Sequence, residues 1–208
     1  MKRILCLLWT LMIAAAAMAQ SPGEIISRME TAVEGKADNG LYMIVDVKMP
    51  IVGSVSTKTW TRGVKVRTEA EMLGVAVTSW TDGKSVWTYT SKKNEVEITD
   101  VNGDESDGSE ADMLTGITEG YDVTISKETD KTWTLDCKKA KWNKNKDDPK
   151  SMTLVVSKSN YYPVSLSTKI EGMAFTMRNI SFNVSEEKVT FNAKDYPDAK
   201  IVDKRRTK

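Results

Sequence analysis

The hydrophobic pattern of this chain changes its period once, between residues 35 and 41. Before that point, Ile25, Ile26, Met29 and Val33 recur at the spacing of one helix face. Ser21 and Glu24 have the spacing of a capping box, and Pro22 suits the first helical position. The pattern therefore predicts one amphipathic helix that ends near Gly35.

From residue 41 onward, apolar and polar side chains alternate with a period of two. Leu41, Met43, Val45, Val47 and Met49 form the first such series, which is typical of a strand with one apolar face. Further strands are predicted at about 55–61, 64–70, 74–80, 85–90, 95–99, 122–127, 132–137, 152–157, 164–170, 173–182 and 189–192. Short strands separated by turn signals predict an antiparallel sheet that bends into a barrel or sandwich. The apolar phase switches within 173–182, which predicts a β-bulge near Arg178 and Asn179.

The segment VTSWTDGKSVWTYTSKKNEVEI, residues 77–98, contains a hairpin signal at Asp82-Gly83. Both residues tolerate the positive φ of a type I′ turn, so Trp80 is predicted opposite Ser85. One face of the hairpin then carries Trp80, Trp87 and Tyr89, and the other carries Val75, Val77 and Val86. A sheet with bulky apolar side chains on both faces needs something to cover each face.

The N-terminal segment MKRILCLLWTLMIAAAAMAQ has the features of a secretory signal peptide. Lys2 and Arg3 precede an apolar run, and Ala17 and Ala19 form a small-x-small cleavage site. Cys6 lies too early in the run to be a lipid-bearing cysteine. We expect residues 1–19 to be removed and residues 20–208 to form one domain.

The absence of histidine limits the chemistry that this chain could perform. The chain has 30 Lys and Arg residues, 29 Asp and Glu residues and no His, which excludes Ser-His-Asp triads and His-based zinc sites. A pair of carboxylates could still cleave glycosides, but no pair stands out. We expect no enzyme activity, no cofactor and no metal. The near-neutral charge also argues against a nucleic-acid partner.

Two loops carry weaker signals. Asp100, Asn102 and Asp104 have the spacing of a calcium-binding loop. However, Glu105 stands where that loop requires Gly, and Ala111 stands where it requires a bidentate Glu. These departures favour a solvated acidic loop. Ser109 and Asp112 form a second capping box before a short helix with Met113, Leu114 and Ile117 on one side. The lysine-rich run around Trp142 could contact phosphate or membrane, although its pattern favours a solvated hairpin loop.

The chain resembles the family of periplasmic outer-membrane lipoprotein carrier proteins, LolA. The resemblance rests on the hairpin of residues 77–98, the capped first helix, the apolar segment MLTGI and the ending VTFNAKDYPDAKIVDKRR. It implies an α+β fold: a strongly curved antiparallel sheet of about eleven strands, an incomplete β-barrel. It also implies that the N-terminal helix and a short lid helix lie over the concave face.

The resemblance further implies a carrier that shields the acyl chains of lipoproteins in an apolar cavity. Its partners would be acylated lipoproteins, an inner-membrane lipoprotein-releasing transporter and an outer-membrane acceptor, and it would act in the periplasm as a monomer. A lipid-sensing regulatory protein on the same scaffold and an extracellular β-rich recognition protein remain alternatives. The residues expected to line the cavity are Met43, Val45, Val47, Met49, Trp60, Trp80, Trp87, Tyr89, Trp133, Leu154, Met173, Phe175 and Met177.

In the same family, an arginine after a strand tryptophan holds the lid. The matching residue here is Arg62, although Gly63-Val64 replaces the basic-Pro pair that usually follows. The expected lid is Met113, Leu114 and Ile117, with Arg62 as its candidate latch. An edge-of-strand arginine that faces solvent is the alternative interpretation of Arg62.

Overall fold

A computed structural model describes residues 20–36, 39–51, 53–101 and 114–206 of the chain. The predicted helix, α1, runs from Pro22 to Glu34, and Ser21 Oγ accepts a hydrogen bond from the Glu24 N–H at 3.2 Å. The predicted face is buried at Ile25, Met29 and Val33. Local pattern and capping therefore predicted this helix correctly.

The strands form a single 12-stranded sheet in the order β12-β6-β5-β4-β3-β2-β1-β11-β10-β9-β8-β7. Their bounds are β1 Leu41–Met49, β2 Gly53–Arg62, β3 Lys65–Met72, β4 Val75–Thr81, β5 Ser85–Thr90, β6 Glu95–Asp100, β7 Tyr121–Glu128, β8 Thr132–Lys139, β9 Ser151–Ser157, β10 Pro163–Ile170, β11 Met173–Phe182 and β12 Lys200–Asp203. The sheet is open, because β12 and β7 end the order without pairing to each other, and it is also curved. The incomplete barrel that the resemblance implies is confirmed.

The C-terminal part of the chain departs from the prediction. A strand at 189–192 is wrong: a short helix, α2, spans Glu186–Val189, and a 3₁₀ turn spans Ala193–Asp195. Acidic Glu186 and Glu187 follow the N-cap Ser185, an arrangement that favours a helix start. The missed strand β12 pairs parallel to β6, so the sheet is not wholly antiparallel.

The predicted β-bulge is present in β11. The register between β1 and β11 shifts between Tyr42 and Ile44, opposite Arg178 and Ser181, and Asn179 adopts a φ of 56°. An extra residue in one strand bends it and increases the local twist. This bulge therefore contributes to the curvature of the sheet at its centre.

The β4–β5 hairpin forms, but the predicted register is wrong by two residues. Trp80 pairs with Trp87, and the turn centres on Gly83 and Lys84 instead of Asp82 and Gly83. The Asp82 carboxylate accepts hydrogen bonds from the N–H groups of Lys84 and Ser85 at 2.9 and 2.8 Å, so it precedes the turn and does not occupy its centre. Gly83, with a φ of 84°, is then the first central residue. A shift of two preserves the predicted faces.

Two different parts of the chain cover the two faces of the sheet. Directly paired residues share a face, so the side that carries Leu41 and Met43, here called the helix face, also carries Trp133, Leu135 and Leu154. It packs with the buried residues of α1 in one core cluster.

The opposite side, here called the aromatic face, carries Trp80, Trp87 and Tyr89. Phe191 lies 5.4 Å from Trp80 and 5.8 Å from Trp87 between ring centroids, and Tyr196 lies 4.5 Å from Tyr89. Val189 of α2, two residues before Phe191 in the chain, is also fully buried. Apolar side chains occupy both faces because the C-terminal segment, residues 184–203, forms a second core on the aromatic face.

Cys137 lies on the helix face, in phase with Trp133 and Leu135, as its strand pattern indicates. It is buried, and this burial raises the pKa of its thiol to about 11. At pH 8 little thiolate forms, so we expect slow reaction of the folded protein with a thiol reagent and rapid reaction in urea. Immediate labelling of the folded protein would contradict this placement.

Candidate functional site

The residues expected to line one cavity fall on both faces of the sheet. Nine of them lie on the helix face: Met43, Val45, Val47, Met49, Trp133, Leu154, Met173, Phe175 and Met177. Trp60, Trp80, Trp87 and Tyr89 lie on the aromatic face. The sheet backbone separates the two groups, so the full set cannot line a single cavity. The error arose because the sequence shows only that two series of side chains alternate along each strand. It does not show which series of one strand shares a face with which series of a distant strand.

Packing divides the nine residues on the helix face further. Met43, Trp133 and Leu154 are buried in the core cluster with α1. The other six are only half-buried: Val45, Val47 and Met49 of β1, and Met173, Phe175 and Met177 of β11. We call these six residues the apolar strip.

The apolar strip is continuous, because β1 and β11 are neighbours in the sheet. Val45 pairs with Met177 and Val47 pairs with Phe175. Val45 and Met177 pack against the core cluster at one end, and Met49 and Met173 lie at the other end, next to the turns. The strip thus leads from the packed core to one end of the sheet.

The neighbouring strands present smaller side chains on the helix face. Thr57 and Val55 of β2 lie opposite Val45 and Val47, and β3 continues this face with Ala70. Short side chains beside longer, flexible methionines leave an apolar surface that adapts to varied ligands. Such a surface can bind hydrocarbon but supplies no group for acid–base chemistry.

An ion pair holds the two strip strands together from the aromatic face. Arg178 Nε lies 2.5 Å from Asp46 Oδ2, and Ser56 Oγ donates to Asp46 Oδ1 at 2.6 Å. The bond from Arg178 keeps the pKa of the Asp46 carboxyl below its usual value. The pair connects β11, β1 and β2 directly behind the strip.

A groove lies beside α1, where sequence analysis predicted nothing. This groove has a volume of about 470 Å³ and is lined by Pro22, Gly23, Ile26, Glu30, Thr118, Glu119, Tyr121 and Val123. Ile26 and Val123 are its aliphatic residues, and two carboxylates flank them. The signal available in the sequence was Ile26, which belongs to the helical apolar pattern. In the structure its side chain is only half-buried.

The expected lid is part of the main core where it is described. Leu114 is 1% exposed within the core cluster, and Ile117 packs against that cluster. The Gly116 N–H donates to Glu30 Oε1 at 3.1 Å, which ties the segment to α1. Met113 lies outside the described residues, as do Ser109, Asp112 and all of the candidate calcium loop except Asp100 and Val101.

Among the described residues, the contacts of Arg62 lie away from the expected lid. Arg62 Nη1 donates to the carbonyl oxygens of Val184 at 2.7 Å and Asn39 at 3.2 Å, and Arg62 Nε lies 3.6 Å from Glu186. These partners belong to the loop before β1 and to the C-terminal segment, not to residues 114–118. The contacts therefore assign Arg62 to fastening that segment, while its side chain stays 37% exposed.

Glycine is required beside this contact. Gly40 has a φ of 80°, and a Cβ there would lie 2.4 Å from the Thr61 carbonyl oxygen and 2.9 Å from Val184 Cβ. The chain therefore passes close to the sheet where the C-terminal segment begins.

Within residues 20–36, 39–51, 53–101 and 114–206, no group of three or more Cys, Asp or Glu side chains could hold a metal ion. Over the same ranges, no helix has the length and apolar character needed to cross a membrane.

Comparisons with known proteins identify the fold. No protein-family model matches the chain, and no curated protein sequence is similar to it. Among solved structures, LprF from Mycobacterium bovis is 13% identical and aligns over 80% of this chain and 96% of its own, with a TM-score of 0.53.

Two further solved structures align with lower scores. An uncharacterized conserved protein from Thermus thermophilus is 17% identical over 90% of this chain and 100% of its own, with a TM-score of 0.46. A LolA superfamily protein from Nitrosomonas europaea is 9% identical over 85% of this chain and 100% of its own, with a TM-score of 0.31. The fold of this chain is assigned from LprF, a LolA-like structure, because LprF has the highest TM-score of the three. The described chain thus has a LolA-like fold, an open curved sheet with a helix across one face.

Proposed function

We propose that this protein is a periplasmic carrier that shields the acyl chains of lipoproteins and moves them from the inner to the outer membrane. The apolar strip carries this proposal, because it is an apolar surface that the described part of the chain leaves half-exposed on the helix face. The LolA-like fold is consistent with a binding protein of this kind.

The energetics of the strip suit a carrier. Each buried methylene contributes about 0.8 kcal/mol, so shielding one long acyl chain is worth on the order of 10 kcal/mol. Binding therefore requires no catalytic group, only an apolar surface of sufficient length. Release requires that the fit be loose, and Met49, Met173 and Met177 supply flexible contacts.

The partners follow from this role. An inner-membrane lipoprotein-releasing transporter would load the carrier, and an outer-membrane acceptor would unload it. The cargo would be acylated lipoproteins, with the lipid on the strip and the protein part in solvent.

A charge at the centre of the strip tests the proposal. We expect Val47→Asp to weaken binding of a fluorescent fatty acid by about tenfold or more, because the carboxylate would have to be desolvated against hydrocarbon. Uptake of lipoprotein from inner-membrane vesicles should fall in parallel. The half-buried position limits the loss of unfolding free energy to about 1–2 kcal/mol.

Two variants serve as controls. Ser54→Asp introduces the same charge on a neighbouring strand but on the opposite face, and it should leave binding unchanged. Val47→Ile keeps the strip apolar and should also bind normally. Normal binding by folded Val47→Asp would show that the strip does not hold the acyl chain.

A further inference from the structure

The topology brings five connections to one end of the sheet. Because neighbouring strands in the central sheet run in opposite directions, the turns after β1, β3, β5 and β10 and the loop between β8 and β9 all lie at the same end. We call this end the rim. It comprises residues 49–51, 53, 72–75, 91–94, 139–151 and 170–173.

The rim concentrates the exposed apolar side chains of the described chain. Trp142 is 73% exposed in the β8–β9 loop, and Ile51, Met72, Leu73 and Ile170 are also exposed in rim turns. At the opposite end, the exposed large apolar residues are Val64 in the β2–β3 turn and Val164 at the start of β10. Exposed apolar side chains that cluster at one end of a protein are typical of a surface that contacts another apolar or interfacial phase.

The loop that carries Trp142 is held in place by its own hydrogen bonds. Asn143 Nδ2 donates to Asp148 Oδ2 at 2.8 Å and to the Gly120 carbonyl at 3.3 Å, and Asn145 Nδ2 donates to Asp148 Oδ1 at 2.7 Å. The Ala140 N–H also donates to the Gly120 carbonyl at 2.9 Å. These bonds fix the loop backbone while the Trp142 side chain stays exposed.

The charge of the rim is mainly positive. Residues 138–150 contain six lysines and two aspartates, and one of these, Asp148, is engaged inside the loop by Asn143 and Asn145. Lys139 also turns inward, toward the carbonyl oxygens of Asn145 and Asp148. The exposed lysines of the rim and its borders are Lys48, Lys92, Lys93, Lys138, Lys141, Lys144, Lys146, Lys150 and Lys169, against exposed Glu71, Glu119, Asp122, Asp147 and Glu171.

We propose that the rim docks on an anionic bilayer surface, with the Trp142 indole at the level of the lipid headgroups. Tryptophan favours the membrane interface, and clustered lysines attract anionic headgroups. An acidic protein surface would also attract lysines, but it would not need the separate exposed apolar turns. Docking in this orientation places Met49 and Met173, the outer end of the apolar strip, next to the bilayer.

Vesicle sedimentation tests the docking without any cargo, so its result is independent of acyl-chain binding. The exported protein is mixed with vesicles of phosphatidylcholine alone or with one-quarter phosphatidylglycerol. We expect binding to the anionic vesicles only, with a loss at high salt. Since each lysine near the surface contributes about fivefold to membrane affinity, Lys141→Gln/Lys144→Gln should bind roughly 30-fold more weakly. Trp142→Ser should bind several-fold more weakly.

Matched variants at the opposite end provide the controls. Val64→Ser and Lys84→Gln/Lys131→Gln remove an exposed apolar residue and two exposed lysines there, and both should bind like the wild type. An equal loss in these variants would mean that general charge, not the rim, drives binding. Absence of binding to anionic vesicles, or retention by immobilised polyglutamate in its place, would overturn the proposal in favour of no membrane contact or an acidic protein partner.

Discussion

Replacing Leu114 by glutamate is expected to lower the free energy of unfolding by about 3–5 kcal/mol and to expose the helix-face core. Leu114 is 1% exposed among Ile25, Met29 and the strand residues of the core cluster. A carboxylate kept at this position would cost several kcal/mol of desolvation. Detaching the segment loses the burial of Leu114, about 2–3 kcal/mol, and that of the half-buried Ile117, about 1–2 kcal/mol.

The protein should either keep the carboxylate buried or detach the segment, whichever costs less free energy. Residues 114–120 contribute no strand to the sheet, and Gly116 has a φ of 68° and Gly120 a φ of 80°, so the segment can detach while strand pairing is kept. We therefore expect unchanged far-UV circular dichroism, increased binding of a hydrophobic dye and a lower urea midpoint. Uptake of lipoprotein should be impaired, as expected of a lid.

Glu119→Ala is the control for this substitution, because Glu119 is exposed in the same segment. It should change neither the urea midpoint nor dye binding. If Leu114→Glu unfolds the entire domain, the segment is an inseparable part of the core. If it folds and takes up lipoprotein like the wild type, the segment is not a lid.

Replacing Trp80 by alanine is expected to destabilise the protein by about 3–5 kcal/mol without weakening acyl-chain binding. Trp80 is 4% exposed, and its ring contacts Phe191 and Tyr196 in edge-to-face geometry. The Arg67 guanidinium also lies 5.3 Å from the Trp80 ring centroid and 5.2 Å from that of Trp60. Removing the indole leaves a cavity in the second core and unpacks the C-terminal segment.

Trp142→Ala makes the same substitution at an exposed site and should change the unfolding free energy by less than about 0.5 kcal/mol. Urea unfolding measures both variants, and fatty-acid binding is measured at a temperature where both are folded. Weakened binding by a fully stable Trp80→Ala protein would place the acyl-chain site on the aromatic face.

The sequence by itself determined those features that depend on neighbours along the chain. Helix α1 follows from its cap and apolar spacing, and the bulge at Asn179 follows from a phase switch within one strand. The partition of Trp80 and Val77 to opposite faces also follows from a period of two. These signals are local, so no distant contact was needed to interpret them.

The tertiary structure decided which surfaces are covered and by what. The register of the β4–β5 hairpin depends on where the Asp82 side chain accepts its hydrogen bonds, and β12 forms only because the chain returns beside β6. The partners of Arg62 include Val184, 122 residues further along the chain. Long-range contacts of this kind depend on how two cores form on opposite faces of the sheet. The sequence cannot predict them, because the periodic pattern of an apolar strand face is the same whether a helix, the C-terminal segment or a lipid covers that face.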